Sequence, residues 1–198
     1  MAQRLDWKKT EIKGLYDMVV VGSSAGGIES LTQILVSLPA KFTAAIVIVQ
    51  HISHDSKRSL ANHFSMVTHV PVREVEDKEP IEGGVVYFAP TNYHLLVSND
   101  GVFNLNIDPP VSFSRPSIDV LFQSAAQVYK KRLMGIILTG TNHDGADGLK
   151  EVRHCGGLAV VQDPENARYP TMPQSALEAA DPQLVLTLDE IGFFLNRL

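Results

Sequence analysis

The sequence predicts an α/β fold: a doubly wound, mainly parallel sheet with helices on both faces and an antiparallel hairpin near one edge. Short, near-continuous apolar runs indicate parallel strands, because such strands are covered on both faces. Helical patterns separate these runs, and strand–helix alternation builds a parallel sheet with right-handed crossovers. We predict strands at residues 18–22, 45–50, 134–139, 158–162 and 184–187. We predict helices at residues 27–38, 56–66, 117–131, 146–155, 173–179 and 188–198.

The hairpin is predicted where the alternation of strands and helices breaks. Residues 85–89, 94–98 and 102–106 form three short alternating segments with turn residues between them. The turn Asn99-Asp100-Gly101 is a strong hairpin signal, since Asp-Gly favours the tight turns that join antiparallel strands. We therefore expect this region to form an antiparallel hairpin that is inserted in the parallel sheet or attached to its edge.

Composition and charge indicate one soluble globular domain. The chain has 198 residues, of which 44% are hydrophobic and 20% are charged, enough for a substantial core. We expect a polar N-terminal tail over residues 1–16 and a single domain over residues 17–198. The net charge of −5 gives no reason to expect nucleic-acid binding. The single cysteine, Cys155, fits a reducing cytoplasm, and no apolar run is long enough to insert into a membrane.

A glycine-rich turn follows the first predicted strand. In Gly22-Ser23-Ser24-Ala25-Gly26-Gly27 the middle serine, Ser24, has the Gly-x-Ser-x-Gly setting of a nucleophile on a strand-to-helix turn. The same glycines could instead let a phosphate approach a helix N-terminus. The glycine spacing matches neither the dinucleotide-binding nor the P-loop pattern, which counts against phosphate binding. A phosphate- or nucleotide-binding module is nevertheless kept as the alternative to an esterase.

Polar residues at the ends of other strands favour the esterase. His51 follows the second predicted strand, and Asp144 lies in the loop after residues 134–139. Because the carboxyl ends of parallel strands share one edge, Ser24, His51 and Asp144 should converge there. A serine, an imidazole and a carboxylate are what acyl transfer needs. The chain order Ser, His, Asp differs from that of ordinary α/β-hydrolases. We predict no metal site, because no cysteine or carboxylate cluster completes a coordination sphere.

Over residues 17–198 the chain resembles the catalytic domain of the CheB chemotaxis protein-glutamate methylesterases. The resemblance rests on several short stretches that occur in order and at family-like spacing. They are Val21-Gly22-Ser23-Ser24-Ala25-Gly26-Gly27, Gln50-His51, Tyr87-Phe88-Ala89-Pro90 followed by His94, Arg115-Pro116-Ser117-Ile118-Asp119-Val120-Leu121-Phe122, Leu138-Thr139-Gly140-Thr141-Asn142-His143-Asp144-Gly145-Ala146 and Pro170-Thr171-Met172-Pro173.

The resemblance implies a serine esterase that hydrolyses glutamate γ-methyl esters on the cytoplasmic helical bundle of chemoreceptors and, in some members, deamidates glutamines. It implies that Ser24 is the nucleophile, His51 the general base and Asp144 the triad acid. Neither reaction requires a cofactor. The expected partner is the methylated receptor, with a separate regulatory protein as a second candidate. Residues 1–16 are too short for the receiver domain of well-known members, so we expect either a stand-alone esterase or a domain cut from a longer protein. An inactive homologue that only binds the receptor is a further alternative.

Four more residues are assigned to the predicted pocket and groove. The Ala25 N–H follows the nucleophile and is the expected first oxyanion donor, and the Thr141 loop is a candidate for the second. The family commonly has threonine at the position of Ala25 and methionine at that of Thr141, but a backbone donor survives either exchange. Arg115 and His94 are expected to line the substrate groove.

Overall fold

The computed structural model describes residues 7–8, 12–52 and 59–198, and within them seven strands form one parallel sheet in the order β3-β4-β2-β1-β7-β8-β9. The predicted doubly wound fold is confirmed. The strands are β1 (Met18–Ser23), β2 (Ala45–Gln50), β3 (Val72–Glu74), β4 (Val86–Phe88), β5 (His94–Val97), β6 (Phe103–Asn106), β7 (Leu133–Ile137), β8 (Leu158–Gln162) and β9 (Leu184–Leu186). The helices are α1 (Gly27–Val36), α2 (Leu60–Ser65), α3 (Ile118–Tyr129), α4 (Ala146–His154), α5 (Thr171–Ala180) and α6 (Leu188–Leu195).

Each face of the sheet is covered by its own layer of helices. Alternate side chains of β1 point to opposite faces, so that Val19 and Met18 belong to different cores. Helices α1, α2 and α6 cover the first core, and α3, α4 and α5 cover the second. All the residues of β1, β2 and β7 are buried, which explains why these strands read as continuous apolar runs.

The prediction for residues 85–89 is wrong in one respect. These residues were expected to belong to the hairpin region, but β4 is a parallel strand of the main sheet, between β2 and β3. Residues 85–88 are all buried, so they follow the rule for a covered parallel strand rather than the alternation of a hairpin. Strand β3 was not predicted, because it has only three residues and two of them, Arg73 and Glu74, are exposed and charged.

The predicted hairpin turn is present between β5 and β6, which pair as a separate two-stranded antiparallel sheet. Ser98 N–H donates to Val102 O at 3.0 Å, and Gly101 has φ +79°, a value that glycine adopts without strain. The hairpin packs against α3, and Lys78 N–H donates to Phe103 O at 2.9 Å. This bond ties the hairpin to the segment after β3, near that edge of the main sheet.

Part of the expected N-terminal tail packs against the core. Ile12 is buried, and Trp7 lies against the first core with its ring edge on Phe194. The predicted helix at residues 56–66 is present from Leu60 onward, while residues 53–58 lie outside the described part. In the described ranges, no helix is both long and apolar enough to cross a membrane.

Candidate active site

Ser24 lies on the turn between β1 and α1, at the carboxyl edge of the sheet. Ser24 N–H donates to Thr139 O at 3.0 Å, which ties this turn to the loop after β7. His51 follows β2 directly, and its N–H donates to Ser23 O at 2.9 Å. The backbone of the Ser23-Ser24 turn therefore bonds to both segments that carry the predicted partners of Ser24.

The structure brings His51 and Asp144 into contact. His51 Nε2 lies 2.9 Å from Asp144 Oδ2, and the Asp144 side chain is fully buried while that of His51 is 12% exposed. The two atoms are in close contact, but their geometry does not make a hydrogen bond in the described part of the chain.

Asp144 is held by the N-terminus of α3. Its carboxylate accepts hydrogen bonds from Ser117 Oγ at 2.8 Å, Ile118 N–H at 2.7 Å and Asp119 N–H at 3.1 Å. Burial by itself raises the pKa of Asp144, but the contact with His51 and the bonds from Ile118 and Asp119 outweigh it and hold the pKa below its usual value. The carboxylate is therefore charged and fixed in orientation. Sequence reasoning missed this role of α3, because the bonds connect residues 25 or more positions apart.

Asp119, in the first turn of α3, binds the N-terminus of α4 in turn. Its Oδ1 accepts from Gly145 N–H at 2.9 Å and from Gly148 N–H at 2.6 Å, at the start of that helix. Burial and the neighbouring Asp144 charge raise the pKa of Asp119 to about 6. Gly145 has φ +97°, and a Cβ there would lie 2.6 Å from side-chain carbons of Ile118 and Ile137. A glycine is thus required where α3 and α4 meet.

Gln50 braces the Ser24 turn against the segment that carries His51. Its Oε1 accepts from Ser23 Oγ at 2.6 Å, and its Nε2 donates to Ser24 O and to His51 O, each at 2.8 Å. A Cβ on Gly27 would overlap Gln50 Oε1, so glycine at this position leaves room for the brace. Gln50 was named in sequence only as part of the Gln50-His51 stretch, and no role was assigned to it. The available signal was a polar residue at the end of a buried strand, immediately before the predicted base.

Two backbone donors of the predicted pocket are free. Neither Ala25 N–H nor Thr141 N–H donates to any acceptor in the described ranges. Thr139 Oγ1 donates to Ala25 O at 3.0 Å, which holds the turn one residue after Ser24. Thr141 is exposed and Ala25 is half-buried, so both are open to a ligand at this edge.

His94 and Arg115 do not stand free in a groove. His94 is 1% exposed, with Nδ1 accepting from Ser117 N–H at 3.3 Å and Nε2 lying 3.1 Å from Pro109 O. Burial and the use of both nitrogens do not fit the expected groove-lining role, and His94 instead supports the start of α3. Arg115 Nη1 donates to Ile107 O at 2.8 Å and Asp108 O at 3.1 Å, so this half-buried cation braces the loop before α3.

The described residues contain no group of three or more histidine, cysteine, aspartate or glutamate side chains placed to hold a metal ion. The polar groups at the sheet edge are a serine, an imidazole, a carboxylate and free backbone N–H donors. This set is suited to attack on an acyl carbon and to stabilisation of the negative oxygen that results.

Comparisons with known proteins identify the family. The model of the family described as CheB methylesterase matches residues 19–195. The chain belongs to the CheB methylesterase family. The crystal structure of the Thermotoga maritima CheB methylesterase catalytic domain is similar to this chain with a TM-score of 0.87 and 35% identity, covering 91% of this chain and 97% of that one.

Two relatives show how the CheB domain occurs in longer and shorter proteins. A Leptospira interrogans relative is 48% identical over 183 residues, which cover 92% of this chain and 95% of that protein. The protein-glutamate methylesterase/protein-glutamine glutaminase of Symbiobacterium thermophilum is 37% identical over 180 residues, which cover 91% of this chain and 50% of that protein. The predicted family resemblance is confirmed, and with it the enzyme class, a carboxylic ester hydrolase.

Proposed function

We propose that this CheB methylesterase hydrolyses γ-methyl esters of glutamate side chains on the cytoplasmic helical bundle of methylated chemoreceptors. The observation that carries the proposal is the convergence of the Ser24 turn, His51 and the buried Asp144 at one sheet edge, with His51 Nε2 2.9 Å from Asp144 Oδ2. The family relation and the activity named for the Symbiobacterium relative support the choice of ester.

The first half of the proposed reaction makes an acyl-enzyme. Ser24 Oγ attacks the γ-carbonyl carbon while its proton passes to His51 Nδ1, because Nε2 faces Asp144. The tetrahedral intermediate then expels methoxide, which takes the proton from Nδ1 and leaves as methanol. Asp144 holds the imidazole and stabilises its positive charge without itself becoming protonated.

The second half frees the serine. A water molecule gives a proton to His51 Nδ1 and attacks the acyl carbon, and the Ser24 oxygen leaves with that proton. The product glutamic acid then gives its proton to solvent, which leaves a glutamate carboxylate and the free enzyme. A glutamine amide would follow the same course with ammonia as the leaving group, so deamidation is part of the proposal.

The Ala25 and Thr141 N–H groups are the proposed oxyanion donors. Both are free of protein acceptors in the described part of the chain. An oxyanion donor contributes on the order of 10²–10³ in rate. Because both proposed donors belong to the backbone, an alanine and a threonine side chain at these positions are compatible with activity.

A protein substrate needs a surface around the reacting atoms, and the loop over residues 107–114 offers one. Phe113 is 98% exposed at its tip, and the chain reaches the Asp144-binding residue Ser117 four positions later. Ser112 and Phe113 both have left-handed backbones, with φ +49° and +61°, and two bonds between Val111 and Ser114 close the turn. Backbone strain that persists in an exposed turn supports the proposal that this loop is a binding element.

The test is methanol release from a methylated receptor fragment. Wild-type protein should release methanol, and Ser24→Ala and His51→Gln should lose at least about 10³ of the rate. Ser65→Ala, at an exposed serine on α2 whose hydroxyl donates to Asn62 O, is the matched control and should keep the wild-type rate. Full activity in Ser24→Ala would refute the assigned nucleophile. Receptor binding without methanol release by the wild type would instead indicate an inactive homologue.

A further inference from the structure

Asn142 contacts the nitrogen of His51 that faces away from Asp144. Its Nδ2 lies 3.2 Å from His51 Nδ1. Its other amide atom, Oδ1, accepts from Asp144 N–H at 3.2 Å. A backbone N–H can only donate, so this second bond fixes which end of the Asn142 amide meets the ring.

The orientation of the amide determines the state of the ring. The Asn142 NH₂ group is a donor, so His51 Nδ1 must accept and carries no proton, and the ring proton of neutral His51 is on Nε2 beside Asp144. This tautomer is the productive one for a base that acts through Nδ1. The lone pair that would take the Ser24 proton, however, already receives a hydrogen bond.

Ser24 lacks the corresponding contact. Its Oγ makes no hydrogen bond with any residue of the described structure, whereas His51 Nδ1 is paired with Asn142. The imidazolium formed during catalysis would turn an Nδ1–H toward the Asn142 NH₂ group, and two donors cannot bond each other. The amide must therefore move away before the proton transfer.

We propose that Asn142 competes with Ser24 for the Nδ1 lone pair of His51, so that the resting enzyme holds its general base in the productive tautomer but occupied. The inference rests on the proposed function, since it concerns the same serine and histidine. Asn142 acts through His51 and is a positioning residue with an inhibitory effect on acylation.

Loss of the amide should not misplace the triad acid. Three other donors, on Ser117, Ile118 and Asp119, hold the Asp144 carboxylate. Asn142→Ala therefore frees Nδ1 while Asp144 stays in position. A neutral hydrogen bond of this kind is worth a factor of roughly 2 to 10 in an equilibrium, which sets the expected gain in acylation rate.

The direct probe is inactivation by an alkyl fluorophosphonate, which needs no receptor. In this step the Ser24 Oγ–phosphorus bond forms, the phosphorus–fluorine bond breaks, fluoride leaves and the proton passes to His51. Asn142→Ala should react roughly 2- to 10-fold faster than the wild type. Asn142→Asp should react at least about tenfold slower, because a carboxylate there accepts from Nδ1 and keeps a proton on it. His143→Ala, at the exposed next position, is the control and should match the wild type.

Nitrogen-15 NMR of the His51 ring gives an independent readout. In the wild type Nδ1 should have the shift of a hydrogen-bonded acceptor nitrogen, and in Asn142→Ala it should move toward the shift of a free one. An unchanged Nδ1 shift, or a folded Asn142→Ala that reacts no faster than the wild type, would overturn the inference. Failure of the wild type to react would count against the Ser24 nucleophile instead. The NMR comparison would still test whether Asn142 donates a hydrogen bond to His51 Nδ1.

Discussion

Asp144 and Asp119 bind the N-termini of two neighbouring helices in a reciprocal way. Asp144 leads into α4 and binds α3, whereas Asp119 belongs to α3 and binds α4. Asp144, two residues before α4, accepts from the first N–H groups of α3, and Asp119, in the first turn of α3, accepts from Gly145 and Gly148 at the start of α4. Helix N-termini favour such negative charges. The position of the predicted triad acid therefore depends on how α3 and α4 pack together.

The raised pKa of Asp119 predicts how stability changes with pH. The pKa is about 6 in the folded protein against a usual value of 3.8, so between these values the native state holds a proton that the unfolded state has lost. The free energy of unfolding should thus fall as pH rises from about 4 to 6, and the loss persists above pH 6. The lowered pKa of Asp144 acts separately, because the stability it contributes is lost only as pH falls below its usual range.

Asp119→Asn should remove the fall in the free energy of unfolding between about pH 4 and pH 6. An asparagine Oδ1 can still accept from Gly145 and Gly148, while the charge beside Asp144 is gone. In the parent, the free energy of unfolding measured with denaturant should be lower at pH 7.5 than at pH 4.5 by about 2 kcal/mol. In the variant this difference should be much smaller. Asp100→Asn, in the exposed hairpin turn, should keep the fall seen in the parent. An Asp119→Asn variant with the parent's pH dependence would contradict the assignment.

Asp144→Asn should remove most of the activity in protein that still folds. The amide oxygen can accept from Ser117 Oγ and Asp119 N–H, but the NH₂ group then replaces the oxygen that accepts from Ile118 N–H. The variant also lacks the charge that stabilises a protonated His51. We expect the rate of ester hydrolysis to fall by about 10³–10⁴, as for other triads that lose their acid. Asp147→Asn, an exposed aspartate three residues later, serves as the control. A loss of less than tenfold in Asp144→Asn would show that Asp144 is not the triad acid.

Gln50→Leu should cost both stability and activity. Leucine fills a similar volume, but the Ser23 hydroxyl loses its partner and the turn is no longer bonded to His51 O. Unpaired buried polar groups cost about 1–3 kcal/mol each, so we expect about 2–4 kcal/mol by denaturant unfolding. The rate should drop at least about tenfold in protein that is still folded. Gln50→Glu keeps the acceptor for Ser23 alone, and a milder effect there would separate the two halves of the brace.

The convergence of Ser24, His51 and Asp144 could be predicted from sequence because one simple rule governs it. Residues that follow parallel strands meet at the carboxyl edge of the sheet, and the strands themselves were evident as apolar runs. Strand β3 does not appear as an apolar run, because its pairing with β4 determines its conformation more than the identity of its own three residues does.

The support of the site could not be predicted, because it depends on contacts between distant parts of the chain. Gln50, Ser117 and Asp119 are ordinary polar residues in sequence, and their roles appear only when α3 and β1 are packed beside the loop after β7. The same holds for His94, which was expected to line the groove because of its place on the hairpin but is a buried partner of Ser117 and Pro109.

Phe113→Ser separates recognition of a protein substrate from the chemistry. The side chain is 98% exposed, so its loss should not change stability, and hydrolysis of a small ester should proceed at the wild-type rate. With a methylated receptor fragment KM should rise several-fold while kcat changes little, because removing an exposed aromatic anchor weakens docking rather than acyl transfer. Phe193→Ser, at a 58% exposed phenylalanine on α6, is the matched control and should leave both substrates unaffected. Equal KM values for the receptor fragment in Phe113→Ser and wild type would show that the 107–114 loop does not contact the substrate.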